Sequence, residues 1–155
     1  MKYIDSTLIK DEEVILSPSV HWIVYAKSCI FFLIFSFILL FVGCVDQEWG
    51  FVGVIELFVI LITAVWYLYD KLYYTRVEMA VTNKRVVEKT GIISVHSEEL
   101  QWNKIESIEI RQGIFGRCLG YGDIYFSGTG TSYVRFGDVK DPWSVKAKAA
   151  EILSK

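Results

Sequence analysis

The chain has 155 residues, sixteen basic and eighteen acidic side chains and a formal net charge of −2. Its Asp70 to Lys155 part carries thirteen basic against eleven acidic side chains, which lacks the basic excess of a nucleic-acid binder. With His21 and His96 far apart and no close Cys or His pair among Cys29, Cys44 and Cys118, the sequence has no zinc spacing.

Residues 1–21 form an N-terminal segment with Asp5, Asp11, Glu12 and Glu13 as its acids. From Trp22 to Tyr69 the chain is apolar apart from Lys27, Asp46, Glu48, Glu56 and a few hydroxyls, amides and thiols, and it breaks at Asp46-Gln47-Glu48. The pattern predicts a transmembrane helical hairpin over 22–69, with helices over 22–45 and 50–69 and an outside turn at 46–49. At roughly 1.5 Å per residue the helices would be about 36 and 30 Å long, and each spans a bilayer core. Lys2, Lys10 and Lys27 flank the hairpin on one side and Lys71, Arg76, Lys84 and Arg85 on the other, with no basic residue in the turn. Positive flanks stay inside, so both termini are expected in the cytoplasm and Asp46 and Glu48 outside. Trp22 and Tyr25 mark one inner boundary, Trp66, Tyr67 and Tyr69 the other, and Trp49 the outer one.

The first apolar run is too long for an ordinary signal peptide core. Phe41-Val42-Gly43-Cys44 contains the small residue and cysteine of a lipoprotein site, but Phe41 fits poorly there and a second span follows almost at once. An uncleaved first helix with free thiols is the expectation. Glu56 lies about 9 Å along the second helix past Gly50, with no basic residue at matching depth in the first. Protonation, extension toward the outer headgroups, or a hydrogen bond across a subunit contact would each compensate it. Gly50 and Gly53 share one helical side and could admit a neighbouring helix closely. Lys71, Arg76, Lys84 and Arg85 are candidates for contact with anionic lipid, although Asp70, Glu78 and Glu88 offset much of their charge.

Beyond Tyr69 the period changes to two. Val77, Met79 and Val81 alternate with Arg76, Glu78 and Thr82, Ile108 and Ile110 with Ser107, Glu109 and Arg111, and Ile124-Phe126 and Val134-Phe136 repeat the pattern. Turn signals fall at Asn83-Lys84, Thr90-Gly91, Gly113 to Gly122 and Gly128-Thr129-Gly130. Asn83 is read as a hairpin turn residue in the left-handed region, and Gly120 and Gly122 as a tight bend rather than a phosphate cradle. Asp141-Pro142 opens a C-terminal helix, Asp141 capping it and Pro142 in the first turn. Trp143, Ala147, Ala150, Ile152 and Leu153 are expected on its packed side, with Trp102 under the sheet. Residues 70–155 are therefore expected as an antiparallel β-barrel or sandwich capped by a C-terminal helix, in a chain of α+β class. Barrel plus helix is the pleckstrin-homology architecture and also leaves other small folds open.

Thr82-Asn83-Lys84-Arg85, Gly91-Ile92-Ile93, Lys104-Ile105-Glu106-Ser107-Ile108, the glycine-rich run Gly116 to Ile124 and Asp141-Pro142 resemble successive signatures of the bacterial PH-domain membrane proteins, the YdbS-like group. Glu12-Glu13-Val14-Ile15 followed by His21-Trp22 resembles the lead into that family's first helix. The resemblance covers nearly the whole chain and implies a membrane hairpin joined to a PH-like domain. It supplies no catalytic residues and no cofactor.

The sequence also holds no phosphate loop, dinucleotide fingerprint or zinc protease motif. The expected function is a non-enzymatic, membrane-anchored PH-like module presenting a protein-interaction surface at the inner face of the membrane. The alternative is a subunit of an oligomeric pore or transport complex built on Glu56. A lipid-modifying enzyme would need clustered polar side chains at the inner interface, and none occur at recognisable spacing. Expected partners are the bilayer and a protein or second copy of the chain.

Overall fold

The structure is a computed structural model that describes residues 2–46 and 49–153. In chain order its elements are α1 (Lys2–Thr7), β1 (Val14–Leu16), α2 (Ile23–Asp46), α3 (Trp49–Arg76), β2 (Glu78–Thr82), β3 (Arg85–Thr90), β4 (His96–Gln101), β5 (Ile105–Arg111), α4 (Ile114–Leu119), β6 (Tyr121–Gly128), β7 (Tyr133–Lys140) and α5 (Pro142–Leu153). Two compact units result. One is residues 22–75; the other joins the stretch up to His21 with everything from Arg76 onward.

The helical unit pairs α2 with α3, each long and apolar enough to cross a membrane. The expected turn at 46–49 falls mostly on residues 47 and 48, which lie outside the described residues. Helix α3 does not stop where its apolar run ends: nothing in Asp70 to Arg76 breaks a helix, so it continues to Arg76, about 42 Å in all. Contacts between the helices follow an antiparallel ladder. A methyl on Gly43 would sit 3.3 Å from the side chains of Trp49 and Val52. Farther along, Phe31 tilts against Trp66 and Tyr25 meets Tyr74 edge-on.

The β unit is an open sandwich of two antiparallel sheets, in the order β1-β2-β3-β4 and β5-β6-β7, rather than a closed barrel. Each inward residue that alternation singles out reaches the shared core: Met79, Val81, Ile124, Phe126, Val134 and Phe136 are buried, and Val77, Ile108 and Ile110 pack against them. Both faces of β2 and β3 are covered, however, since Ala80, Thr82 and Val87 are as buried as their neighbours. Period-two reading cannot detect a second covered face. Part of that cover is α1, which lies against β2.

Strand β1 is the main departure from expectation. It pairs with β2 through Val14–Thr82 and Leu16–Val81, with a bulge between, so the N-terminal segment belongs to the sheet instead of standing apart from residues 70–155. The helical hairpin is thus inserted between two hydrogen-bonded neighbouring strands. Val20 forms a further bridge to Val139, and the His21 amide donates to the Asp138 carbonyl at 2.8 Å.

Helix α5 starts as expected, with the Ser144 amide donating to Asp141 Oδ1 at 3.3 Å and Pro142 following the cap. Its buried face is different. Val145 and Ala149 enter the core with Ile152 beside them, while Trp143, Ala147, Ala150 and Leu153 are exposed. The packed stripe runs 142, 145, 149, 152, the three-to-four spacing set by Pro142 itself.

Candidate interaction surface and intramembrane polar site

The outer face of the three-stranded sheet concentrates side chains of the kind that dominate protein interfaces. Strand pairing sets Tyr125 of β6 opposite Glu109 of β5 and Arg135 of β7, and alternation turns all three away from the core. The guanidinium of Arg111 lies 4.5 Å from the Tyr125 ring centroid on one side and that of Arg135 5.8 Å away on the other. Arg135 is held by Asp123 at 2.9 Å, and Asp123 also accepts from the Asp138 amide at 2.9 Å. Burial favours proton loss from Arg135, but Asp123 outweighs it and keeps the guanidinium charged. Arg111 meets Glu109 at 3.3 Å. Beside this row opens a groove of about 300 Å³ lined by Glu109, Arg111, Tyr125, Ser127, Ser132 and Tyr133, among others. An aromatic ring between two forked cations, already oriented by carboxylates, loses little conformational freedom on engaging a partner. Sequence reading missed this surface because its members are spread over three strands. The available signal was the outward phase of the same alternation that identifies the core.

In the helical unit Glu56 finds a partner that the sequence reading overlooked. Ser36 of α2 donates its hydroxyl to Glu56 Oε1 at 2.5 Å. The second oxygen, Oε2, is buried without a hydrogen-bond partner among the described residues. In an antiparallel hairpin, residues at equal depth have a nearly constant index sum, and Gly43 with Val52 sets it close to the sum for Ser36 and Glu56. A search confined to basic side chains could not find a hydroxyl. Gly50 and Gly53 do not serve the contact inside the hairpin, because nothing lies within 4 Å of a methyl placed on either; Gly43 is the close one.

Among the four candidate lipid-contacting cations, Arg85 must be corrected. It is 8% exposed, and its guanidinium donates to Glu12 at 2.9 and 3.2 Å, to the Thr7 carbonyl at 2.7 Å and to Glu99, so it is buried and committed to protein partners rather than presented to a headgroup. Lys84 sits at the β2–β3 turn, the end of the sheet remote from Glu78 where the chain arrives from α3, and donates to the Lys10 carbonyl. Lys71 and Arg76 are exposed on the last turns of α3. Asn83 is not in the left-handed region. Its side chain clamps the N-terminal segment instead, accepting from the Glu13 amide and donating to the Asp11 carbonyl, both at 3.0 Å.

The glycine-rich run is a packing motif with one true bend. Gly120 closes α4 at φ 75°, its amide donating to the Gly116 carbonyl at 2.9 Å. Gly122 lies in regular strand, where a methyl would stand 2.5 Å from Gln112 Cγ and 3.0 Å from the Arg111 carbonyl. Gln112 ties the corner together, donating to the Tyr121 carbonyl at 2.8 Å and accepting from the Trp143 indole at 2.9 Å. Trp143 is therefore a surface ring, whereas Trp102 packs edge-on to Phe126 as expected and donates to the Thr82 carbonyl at 2.9 Å.

A family model described as a bacterial PH domain matches residues 29–153, and the chain belongs to that family. Neither curated proteins nor solved structures gave a significant match.

Proposed function

We propose, for this member of the bacterial PH domain family, a non-enzymatic module anchored in the bacterial inner or cytoplasmic membrane by α2 and α3, presenting the Arg111–Tyr125–Arg135 face to a protein partner on the cytoplasmic side. The observation carrying the reading is the joined pair of features in one chain: two helices apolar enough to span, and a sheet face whose half-buried Tyr125 ring is flanked by two oriented guanidiniums. Two crossings return the chain to its starting side, and the pairing of β1 with β2 requires that same-side arrangement. The basic residues Lys71 and Arg76 at the end of α3 support the cytoplasm as that side.

The test is site-specific photocrosslinking in native membranes. A photoreactive residue replacing Tyr133, at the groove, should yield an adduct of one defined size that disappears when Tyr125→Ala is added. Adducts indistinguishable from those obtained at Lys148 of α5 would defeat the proposal. The pore-subunit reading draws on the unpartnered Oε2 of Glu56 and has a separate measurement, ion flux into vesicles holding the purified protein.

A further inference from the structure

We propose that the β unit docks onto the lipid surface through an apolar rim formed by the β3–β4 loop and α4, an inference that rests on the membrane-anchored reading above. Ile93 in that loop is 97% exposed, and Val95 beside it is also exposed. On α4, Ile114 is 82% and Phe115 76% exposed, with Leu119 and Trp143 adding apolar surface. Five large apolar side chains in two short segments, with Trp143 of α5 beside them in the fold's apolar surface, exceed the scattered single exposures normal for a soluble face.

Strand order identifies what covers them. The chain leaves α3 at Arg76 and enters β2 at Glu78, which pairs with Lys89; two residues past Lys89 the β3–β4 loop begins. The loop therefore lies at the end of its sheet that is tied to α3. In the other sheet, Tyr121 pairs with Lys140, the neighbouring Val139 bridges to Val20, and His21 stacks on Tyr121 at 5.3 Å. Two residues after His21, α2 begins. Helix α4, which ends at Leu119, thus protrudes from the end of its sheet tied to α2.

Both apolar segments accordingly hang from the two points where the chain passes into bilayer-length helices. At no more than about 3.6 Å per residue, Ile93 stays within about 14 Å of Lys89 and Phe115 within about 22 Å of Tyr121. A tether this short makes rim insertion effectively intramolecular, so weak individual contacts suffice. Exposed Arg117 on α4 and Lys140 at the end of β7 add the basic partners typical of surfaces that rest on anionic headgroups. Of the acids at this end among the described residues, Asp141 caps α5, Glu78 pairs with Lys89 and Glu98 meets His96.

The experiment uses the full chain in vesicles of phosphatidylcholine and phosphatidylglycerol. In a background of Cys29→Ser, Cys44→Ser and Cys118→Ser, an environment-sensitive dye is attached through Ile93→Cys, Phe115→Cys, Thr131→Cys or Leu57→Cys. Thr131 lies in the β6–β7 loop, at the opposite end of its sheet, and Leu57 lies within α3. Quenching by a spin label near the headgroups should be several-fold greater at 93 and 115 than at 131, and should weaken in vesicles without phosphatidylglycerol. Quenching at 93 and 115 no greater than at 131, while Leu57 is quenched by deep spin labels, overturns rim docking and leaves the anchor intact. Failure at Leu57 as well overturns both. A blue-shifted but unquenched dye at 93 or 115 assigns the rim to a protein and likewise overturns lipid docking.

Discussion

Glu12 and Arg85 form a buried ion pair across seventy-three positions of sequence, with the entire helical hairpin inserted between them. Burial raises the Glu12 carboxyl, but the Ile9 amide, Arg85 and Thr82 together outweigh it and hold the group below its ordinary value. Each partner is supplied by a motif segment, Glu12-Glu13-Val14-Ile15 and Thr82-Asn83-Lys84-Arg85, so the pair joins those segments alongside the Val14–Thr82 strand pairing and the Asn83 bond to the Glu13 amide.

Removing one member strands a buried charge. Glu12→Ala should destabilise the β unit by about 3 to 5 kcal/mol, and the pair Glu12→Ala with Arg85→Met by clearly less, because the double change leaves no buried unpaired ion, Glu99 being exposed. Denaturant unfolding of the detergent-solubilised chain measures both. An equal or larger loss in the double variant would show that the ion pair is not the source of the cost.

Glu88 behaves in the opposite sense. It lies directly across from Glu98 on β4, and burial first, then Glu98, push its carboxyl up to about 7. Between about pH 4.5 and 7 the folded state retains a proton that the unfolded chain has released, so stability falls as pH rises through this window and is level above it. Glu88→Gln should flatten the decline and raise stability at alkaline pH by roughly 1 kcal/mol, a figure reduced for solvent screening. Glu12 acts at the other limit: its contribution is complete above the ordinary carboxylate value and is lost as pH falls through its lowered folded value. Thermal unfolding across the pH range separates the two, since Glu88→Gln leaves the acid limb unchanged.

The core of both sheets was legible because Met79, Val81, Ile108, Ile110, Phe126 and Phe136 alternate strictly, and a half-buried strand has no other way to satisfy both faces. The capping pair Asp141-Pro142 was legible for an equally local reason. Strand β1 was not, since three residues provide no period and its partner is more than sixty positions away. Arg85 was misread as a headgroup ligand for the same reason: its counter-charge, Glu12, is remote in sequence. The face of α5 was misjudged because Trp143 looks like a core residue, while its indole in fact serves Gln112 at the surface.

Inside the hairpin, Ser36 satisfies one oxygen of Glu56 and leaves the other buried. Hydrogen bonds between membrane helices contribute about 0.6 kcal/mol on average, so Ser36→Ala should loosen the hairpin only modestly. Self-association is the more discriminating readout. Glu56→Gln should retain crosslinked oligomers in membranes, because an amide still bonds Ser36 and a second donor or acceptor, whereas Glu56→Leu should reduce them. Undiminished oligomers in Glu56→Leu would confine the carboxyl's role to the single chain.

The pairing of β1 with β2 makes a strong topological demand. A reporter active only outside the membrane should work when inserted at Trp49 and remain silent after Leu153. If the same reporter is active after Leu153, the assigned orientation is reversed. Disabling the pairing with Val14→Pro tests a separate point, since Pro removes a donor and fixes the backbone angle. That variant should become sensitive to protease in residues 1–21 while the reporter pattern stays as before.

Gly122 faces two obstacles of unequal compliance. A methyl there would meet Gln112 Cγ at 2.5 Å and the Arg111 carbonyl at 3.0 Å. The first belongs to a side chain that can swing away, at the expense of its bonds to the Tyr121 carbonyl and the Trp143 indole; the second is fixed backbone of the neighbouring strand. Gly122→Ala should therefore destabilise the β unit by about 1 to 3 kcal/mol. Adding Gln112→Ala removes the nearer obstacle, so the double variant should lose less than the sum of the two single losses, and the Arg111 carbonyl should keep it below the stability of Gln112→Ala alone. Unfolding free energies of the four chains form a closed cycle that measures the coupling. Strict additivity would mean that Gln112 does not set the close approach, and that the glycine at 122 is required by the Arg111 carbonyl or another contact instead.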